Sequence, residues 1–230
     1  MKRGKLIVID GTDGSGKKTQ ARLLVSRLRK EGFKTKTLAF PQYRKKSAGP
    51  VENYLEGKYG ENSERVSPYV ASVFFAVDRF DAARTKIDSW LAKGFMVVLD
   101  RYVSSNMGHQ GTLFASKKER SEFFQWVQNF EYEIMQLPKP DIQFIFYVNP
   151  NIAERNAAKK WKNKITNLKK QDILESDPKH FIRSAQVYKE LAKILPDVKF
   201  LECSKNKKLL SRKDIHEMVW KSVARIASRT

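Results

Sequence analysis

The run Gly11-Thr12-Asp13-Gly14-Ser15-Gly16-Lys17 has the residue types and spacing that a chain of phosphates requires. Its glycines let the backbone wrap closely around an anion, the turn's amide N–H groups point inward, and a helix opening at Lys17 adds partial positive charge. Lys17 would reach the β and γ phosphates of a nucleoside triphosphate. Gly11, Gly14, Ser15, Gly16, Lys17, Lys18 and Thr19 are therefore the expected ATP-binding residues. The position after Lys17 departs from the usual pattern. Such loops carry Ser or Thr there to hold Mg²⁺, whereas this chain has Lys18, with Thr19 one place later. An ammonium cannot ligate a cation. Either Mg²⁺ is held by nucleotide oxygens, water and Asp100, or the loop has lost catalytic competence. We expect the first, because other phosphate-handling groups are present.

Three further groupings carry potential chemistry. Asp100-Arg101-Tyr102 closes the apolar run Phe95–Asp100, at the strand end where open α/β sheets bind ligands. Phe75 and Arg79 are four residues apart and share a helix face. A flat apolar ring and a forked donor suit a pyrimidine-dione, although Phe74 and Phe75 as core and Arg79 as a surface partner of Asp78 would explain them too. Finally, residues Arg155–Lys170 hold seven basic side chains and no acidic one. That stretch is either a solvated helix face or tether, or a cationic lid that closes over phosphates.

Positioning these groups requires an alternation of strands and helices. Lys5–Asp10, Thr35–Phe40, Phe95–Asp100, Ile142–Val148 and Val198–Cys203 are continuous apolar or β-branched runs, as in strands covered on both faces. Helical patterns occupy Lys17–Lys30, Pro68–Lys93, Lys118–Gln136, Asn151–Lys160, Pro178–Leu195 and Arg212–Ala227. The order predicts an α/β fold of the P-loop type: a five-stranded parallel sheet flanked by helices in three layers, joined by right-handed crossovers. Without internal repeats or a proline-rich linker, residues 1–230 read as one domain with a basic lid near 155–176.

Composition bounds the rest. The 230 residues are 41% hydrophobic, enough for a substantial core. No apolar run approaches the ~18–20 residues of a membrane span, and LIVI near the N-terminus is too short for a signal peptide, so a soluble, cytoplasmic protein is expected. Cys203 is alone, which excludes an internal disulfide or a cysteine-built metal site. Lys and Arg number 45 against 25 acidic residues, a formal net charge of +20. That excess concentrates anions and permits nonspecific nucleic-acid contact; a solvated basic surface is the alternative.

Taken together, the loop, Phe40-Pro41-Gln42-Tyr43-Arg44, the long helix with Phe75 and Arg79, and FMVVLDRYVSSNMGHQG resemble the thymidylate kinases, P-loop enzymes that phosphorylate dTMP. The resemblance implies that Asp13 binds the sugar 3′-hydroxyl and that Phe40, Pro41 and Tyr43 lie at the acceptor, with Tyr43 at its phosphate. Many family members carry arginine at the position of Gln42, and Arg44 could compensate. Phe75 would stack on thymine, Arg79 would bond a base carbonyl, and Asn106 would bond the ring nitrogen. Ser105, His109 and Gln110 complete the expected acceptor site, with His109 where other members crowd the sugar's 2′ side. Gly14 replaces an arginine found in some members, which shifts the catalytic cations to the lid and makes Lys159, Lys160, Lys162 and Lys164 candidates beside Lys17, Asp100 and Arg101. Asp172 and Glu175 resemble the acidic pair at the lid's end. The family also implies Mg²⁺ with ATP and a homodimer. Competing readings are a kinase for another pyrimidine nucleotide or a deoxynucleoside, and a catalytically impaired P-loop protein that binds nucleic acid.

Overall fold

A computed structural model describes residues 2–60, 65–162, 173–174, 177–205 and 208–227. Five parallel strands, β1 (Lys5–Gly11), β2 (Thr35–Ala39), β3 (Met96–Asp100), β4 (Ile142–Tyr147) and β5 (Val198–Glu202), lie in the order β2-β3-β1-β4-β5. Each strand end differs by no more than one residue from expectation. The central strands are buried throughout most of their length, while β2 and β5, at the edges, alternate or face solvent. Continuous apolar runs therefore describe the middle of the sheet better than its rims.

Strand β1 explains the layering. Leu6 and Val8 pack on one side with Val97, Leu99, Met107, Phe123 and Tyr188. Ile7 and Ile9 point to the other side, against Leu24, Leu28, Val98, Phe144 and Val219. Successive side chains alternate across the sheet, so one short strand anchors two cores. All four are fully buried, each contributing about 1.5–3 kcal/mol relative to exposure. The helices on the second side are α1 (Lys17–Lys30) and α9 (Arg212–Ala227). The first side is covered by the segments between β2 and β4 and by α8 (Pro178–Ile194).

The segments between β2 and β4 depart most from the sequence pattern. A short helix α2 (Gly49–Leu55) precedes the long one. The single helix expected over Pro68–Lys93 is α3 (Pro68–Ala82), a π-helical turn over Ala83–Ile87 and α4 (Asp88–Ala92). The wider turn resets the helical phase, keeping Ala82, Ala83, Ile87 and Leu91 in the core. Helix α5 (Val103–Gln110) has a sequence poor in helix formers, yet all eight residues are buried, so packing overrides propensity. The expected Lys118–Gln136 helix is α6 (Lys117–Gln128), opened by a Ser116–Glu119 capping box and followed by a π-helical turn over Asn129–Ile134. Helix α7 (Pro150–Lys162) follows β4, and a two-stranded hairpin, β6 (Ser204–Lys205) with β7 (Lys208–Leu209), follows β5. Among the described residues, no helix is long and apolar enough to cross a membrane.

Candidate active site

The phosphate loop leaves the carboxyl end of β1 and runs into α1. Gly16, at φ 92°, opens that helix with no side-chain cap, so the first N–H groups of α1 face the loop. Gly14 lies at φ 74°, where a Cβ would sit 2.1 Å from the carbonyl oxygen of Ala153 in α7. Asn156 of the same helix donates to the Gly14 carbonyl at 3.2 Å, so α7 buttresses the loop from behind. Lys17 Nζ donates to the carbonyls of Gly11 (2.8 Å) and Thr12 (2.7 Å) and lies 3.7 Å from Asp13. Burial and the neighbouring Arg101 pull its pKa to about 8, against the opposing pull of Asp13.

Two hydroxyls mark the same loop. Thr12 Oγ1 and Ser15 Oγ are buried with no hydrogen-bond partner among the described residues, which is the condition a phosphate oxygen would relieve. Lys18 is exposed and Thr19 half-buried. Asp100, half-buried at the end of β3, exerts its charge on both Lys17 and Arg101. No group of three or more His, Cys, Asp or Glu ligands is gathered among the described residues. The donor set fits an ion that arrives on the nucleotide better than one held by a protein cage.

Arg101 crosses from β3 to the loop. Its φ of 71° is unusual for a side-chain-bearing residue and turns the guanidinium toward Asp13, with which it forms a close ion pair. Burial works to raise the Asp13 carboxyl, but Arg101 and Lys17 override it and hold the group well below the usual carboxylate range. The other arm of Arg101 reaches His109 Nε2 at 2.8 Å. A guanidinium only donates, so Nε2 is the unprotonated nitrogen. His109 Nδ1–H is then the donor to His180 Nε2 at 2.9 Å, and the two rings lie nearly parallel, their centres 5.2 Å apart. Burial pushes both imidazoles toward the neutral form, with His180 lowered to about 4. His109 is thus one link in a chain from Asp13 to α8.

Behind this chain lies Asp10, the last acid before the loop. It accepts from the hydroxyls of Ser104, Ser105 and Tyr188 and from the Gly11 amide. Gly108 permits the arrangement, because a Cβ there would be 2.3 Å from Tyr188 Cζ. Ser105, expected at the acceptor, lines the cavity but commits its hydroxyl to Asp10.

The cavity beside the loop brings together Asp13, Phe40, Pro41, Tyr43, Phe75, Arg79, Arg101, Ser105, Asn106, His109 and Gln110, joined by Leu55 and Leu174. Phe75 is half-buried and meets Tyr54 edge-on at 6.2 Å, whereas Phe74 packs on Tyr54 and Tyr59 away from the cavity. Gln110 accepts weakly from Tyr54 at 3.4 Å, and its Nε2 is buried without a partner among the described residues. The alternative of a surface ion pair between Arg79 and Asp78 is overturned. Arg79 is 1% exposed and forms a two-pronged pair with Glu131, at 2.6 and 2.7 Å. Asp78 instead accepts from the Gln42 amide (2.7 Å) and Ser47 hydroxyl (2.8 Å). Asn106 Nδ2 donates to Glu131 (2.8 Å) and to the Ser72 carbonyl (3.1 Å).

Gln42 and Arg44 do not line this cavity. Gln42 is locked between Asp78 and Lys86. Arg44 is exposed at φ 69°, gives its backbone N–H to Glu52, and does not line the cavity. Lys159, Lys160 and Lys162 fall on α7 by backbone, while Lys164, Asp172 and Glu175 lie outside the described residues. Sequence reasoning misses Glu131 and His180. A signal for Glu131 exists: Phe124, Val127 and Glu131 form an i, i+3, i+7 stripe, and all three are buried. His180 has no comparable local signal.

A nucleotide-phosphate loop at the carboxyl edge of a parallel sheet, adjoining a cavity lined by Arg79, Arg101 and Phe75, defines a P-loop kinase acting on small nucleotides. Residues 9–213 match the family model described as thymidylate kinase. A thymidylate kinase of Mycobacterium tuberculosis is 33% identical over 190 residues, covering 81% of this chain and 85% of that protein. The thymidylate kinase of Plasmodium falciparum is 31% identical over 157 residues, 68% of this chain and 67% of that protein. The solved thymidylate kinase structure from Candida albicans superposes with a TM-score of 0.72 over 99% of this chain and 94% of that chain, at 18% identity. The chain belongs to the thymidylate kinase family.

Proposed function

We propose that this protein transfers the γ-phosphoryl group of ATP to dTMP, giving dTDP and ADP for dTTP synthesis. The observation that carries the reading is the Asp13–Arg101 pair. It links the phosphate loop to a cavity that Phe75, Arg79 and Asn106 also line. Loop amides, Lys17 and the hydroxyls of Thr12 and Ser15 hold the donor phosphates. Asp13 accepts from the sugar 3′-hydroxyl, while Tyr43 lies toward the acceptor phosphate and Phe75 stacks on the base. A phosphate monoester is already nucleophilic, so no strong general base is needed; alignment and charge neutralisation supply the rate. Arg101 and lysines of a lid over 155–176, Lys159, Lys160, Lys162 and Lys164 among them, neutralise charge in the transition state. Asp100 would hold Mg²⁺ through water, and the ion that comes with ATP would supply further charge neutralisation.

We read residues 1–230 as one domain acting in the cytoplasm. A homodimer is supported by the apolar stripe Val70, Val77 and Phe80 on α3, which is 47%, 42% and 39% exposed. Sedimentation should give a dimer that Val77→Asp weakens.

The deciding experiment is a coupled ADP-release assay with Mg-ATP against dTMP, dUMP, UMP, CMP, dCMP and thymidine at fixed salt. Preferred turnover of dTMP is expected. Turnover of another acceptor would retain the kinase and replace the base assignments. Nucleotide binding without any turnover would favour the impaired, nucleic-acid-binding alternative.

A further inference from the structure

We propose that Glu131 is a positioning residue for base selection: it sets the donor–acceptor polarity of the cavity floor by holding the Asn106 amide in one orientation. The inference rests on the proposed placement of the acceptor base beside Phe75. Glu131 is completely buried on the π-helical turn after α6 and reaches into the cavity wall from outside its lining. One carboxylate serves three donors, Arg79 Nε, Arg79 NH2 and Asn106 Nδ2.

The chemistry of those partners is what makes the arrangement selective. A carboxylate and a backbone carbonyl only accept, so Glu131 and Ser72 together demand the NH₂ end of Asn106. Both amide protons are thereby committed to protein. The part of Asn106 left for a ligand is Oδ1, an acceptor. Arg79 is turned the same way: Nε and NH2 are used on Glu131, and the NH1 group has no protein partner among the described residues. The floor consequently offers one fixed donor beside one fixed acceptor. A 2,4-dione edge, with a carbonyl oxygen next to an N–H, complements that pair. An aminopyrimidine edge, with an NH₂ next to a bare ring nitrogen, opposes it at both positions. Buried polar mismatches of this kind discriminate far more strongly than a missing methyl group.

An unconstrained asparagine would rotate its amide and accept either edge, since its two ends are nearly the same shape. Glu131, together with the Ser72 carbonyl, removes that freedom. In the Glu131→Gln variant one of the two oxygens becomes an NH₂, so Arg79, which donates to both, faces donor against donor in either amide orientation, and Asn106 does so as well when the NH₂ takes the Oε1 position. The Asn106 amide then keeps the Ser72 carbonyl as its one unconditional acceptor, and its orientation is held less firmly.

The test uses the full chain and compares kcat/KM for dTMP and dCMP in the wild type, Glu131→Gln, Arg79→Ala and Asn106→Ala, with KM for ATP as the fold control. Glu131→Gln should lower the dTMP-to-dCMP ratio by about tenfold or more, the factor that one net hydrogen bond represents, with KM for ATP unchanged. Equal losses for both acceptors would overturn the proposal and leave Glu131 a support of the fold alone. If Arg79→Ala and Asn106→Ala also left the ratio untouched, the base would not lie in this cavity, and the underlying reading would fail with it. A second measurement does not depend on the variants folding. In ¹⁵N-labelled wild type, both Asn106 side-chain amide protons should be protected from exchange before and after dTMP binds. An Asn106 amide that exchanges freely without nucleotide would equally overturn the proposal.

Discussion

The phosphate loop and the base end of the cavity meet at Arg101 but are built in opposite ways. The loop is contiguous: seven consecutive residues supply glycines, amides and Lys17, and local backbone geometry shapes the site. The base end is assembled from α3, α5 and the turn after α6, held by a buried Arg79–Glu131–Asn106 network. A loop that binds through backbone tolerates variation at outward-facing side chains such as Lys18. A site that binds through buried side chains tolerates almost none, because each polar group left unpaired costs its full desolvation.

The largest expected effect should break the second region. Glu131→Ala leaves Arg79 buried without its counter-charge and should destabilise the fold by about 3–5 kcal/mol. Removing both charges together, as Arg79→Met with Glu131→Leu, should recover much of that stability while abolishing base preference. Urea unfolding of the wild type and the two variants measures the difference, and equal loss in single and double variants would contradict it.

In the loop, Lys17→Met should lower kcat by about 10²–10³-fold with little change in thermal stability, as expected for one lost electrostatic stabiliser. Because Lys17 is lowered to about 8 in the free protein, kcat/KM for ATP should decline above that pH, where the cation is progressively lost. A profile that stays flat well into the alkaline range would show that Lys17 titrates elsewhere.

The seam between the regions gives a smaller effect of opposite pH sense. His180 falls from 6.5 to about 4 on folding, and His109 is lowered too. Between those values the unfolded chain binds more protons than the folded one, so stability should fall as pH drops from 6.5 toward 4. His180→Gln should reduce that slope in melts compared across this interval. The smallest effect belongs to Lys18→Ser, which should change magnesium dependence by only a few-fold at most; a collapse of activity would mean that Lys18 has a phosphate-binding role of its own.

Legibility follows the same division. The strands in the middle of the sheet are the most readable, because β1, β3 and β4 are buried on both faces and therefore mostly apolar. Phe75 with Arg79 is readable as a helical pair, but the sequence misleads about the partner of Arg79, since Asp78 is adjacent in sequence and Glu131 is 52 residues away. Helix α5 is not readable as a helix, because burial rather than propensity forms it. The tie from His109 to His180 spans 71 residues and leaves no local trace.

By itself, the sequence determined the parallel α/β architecture, the position of the phosphate loop and the cationic balance, because strand burial, glycine conformation and charge are local properties of the chain. Tertiary structure alone decided which acid neutralises Arg79, which tautomer His109 adopts and which end of Asn106 meets a ligand. Those are contests among hydrogen-bond partners, and only the folded packing determines which groups come within about 3 Å of one another.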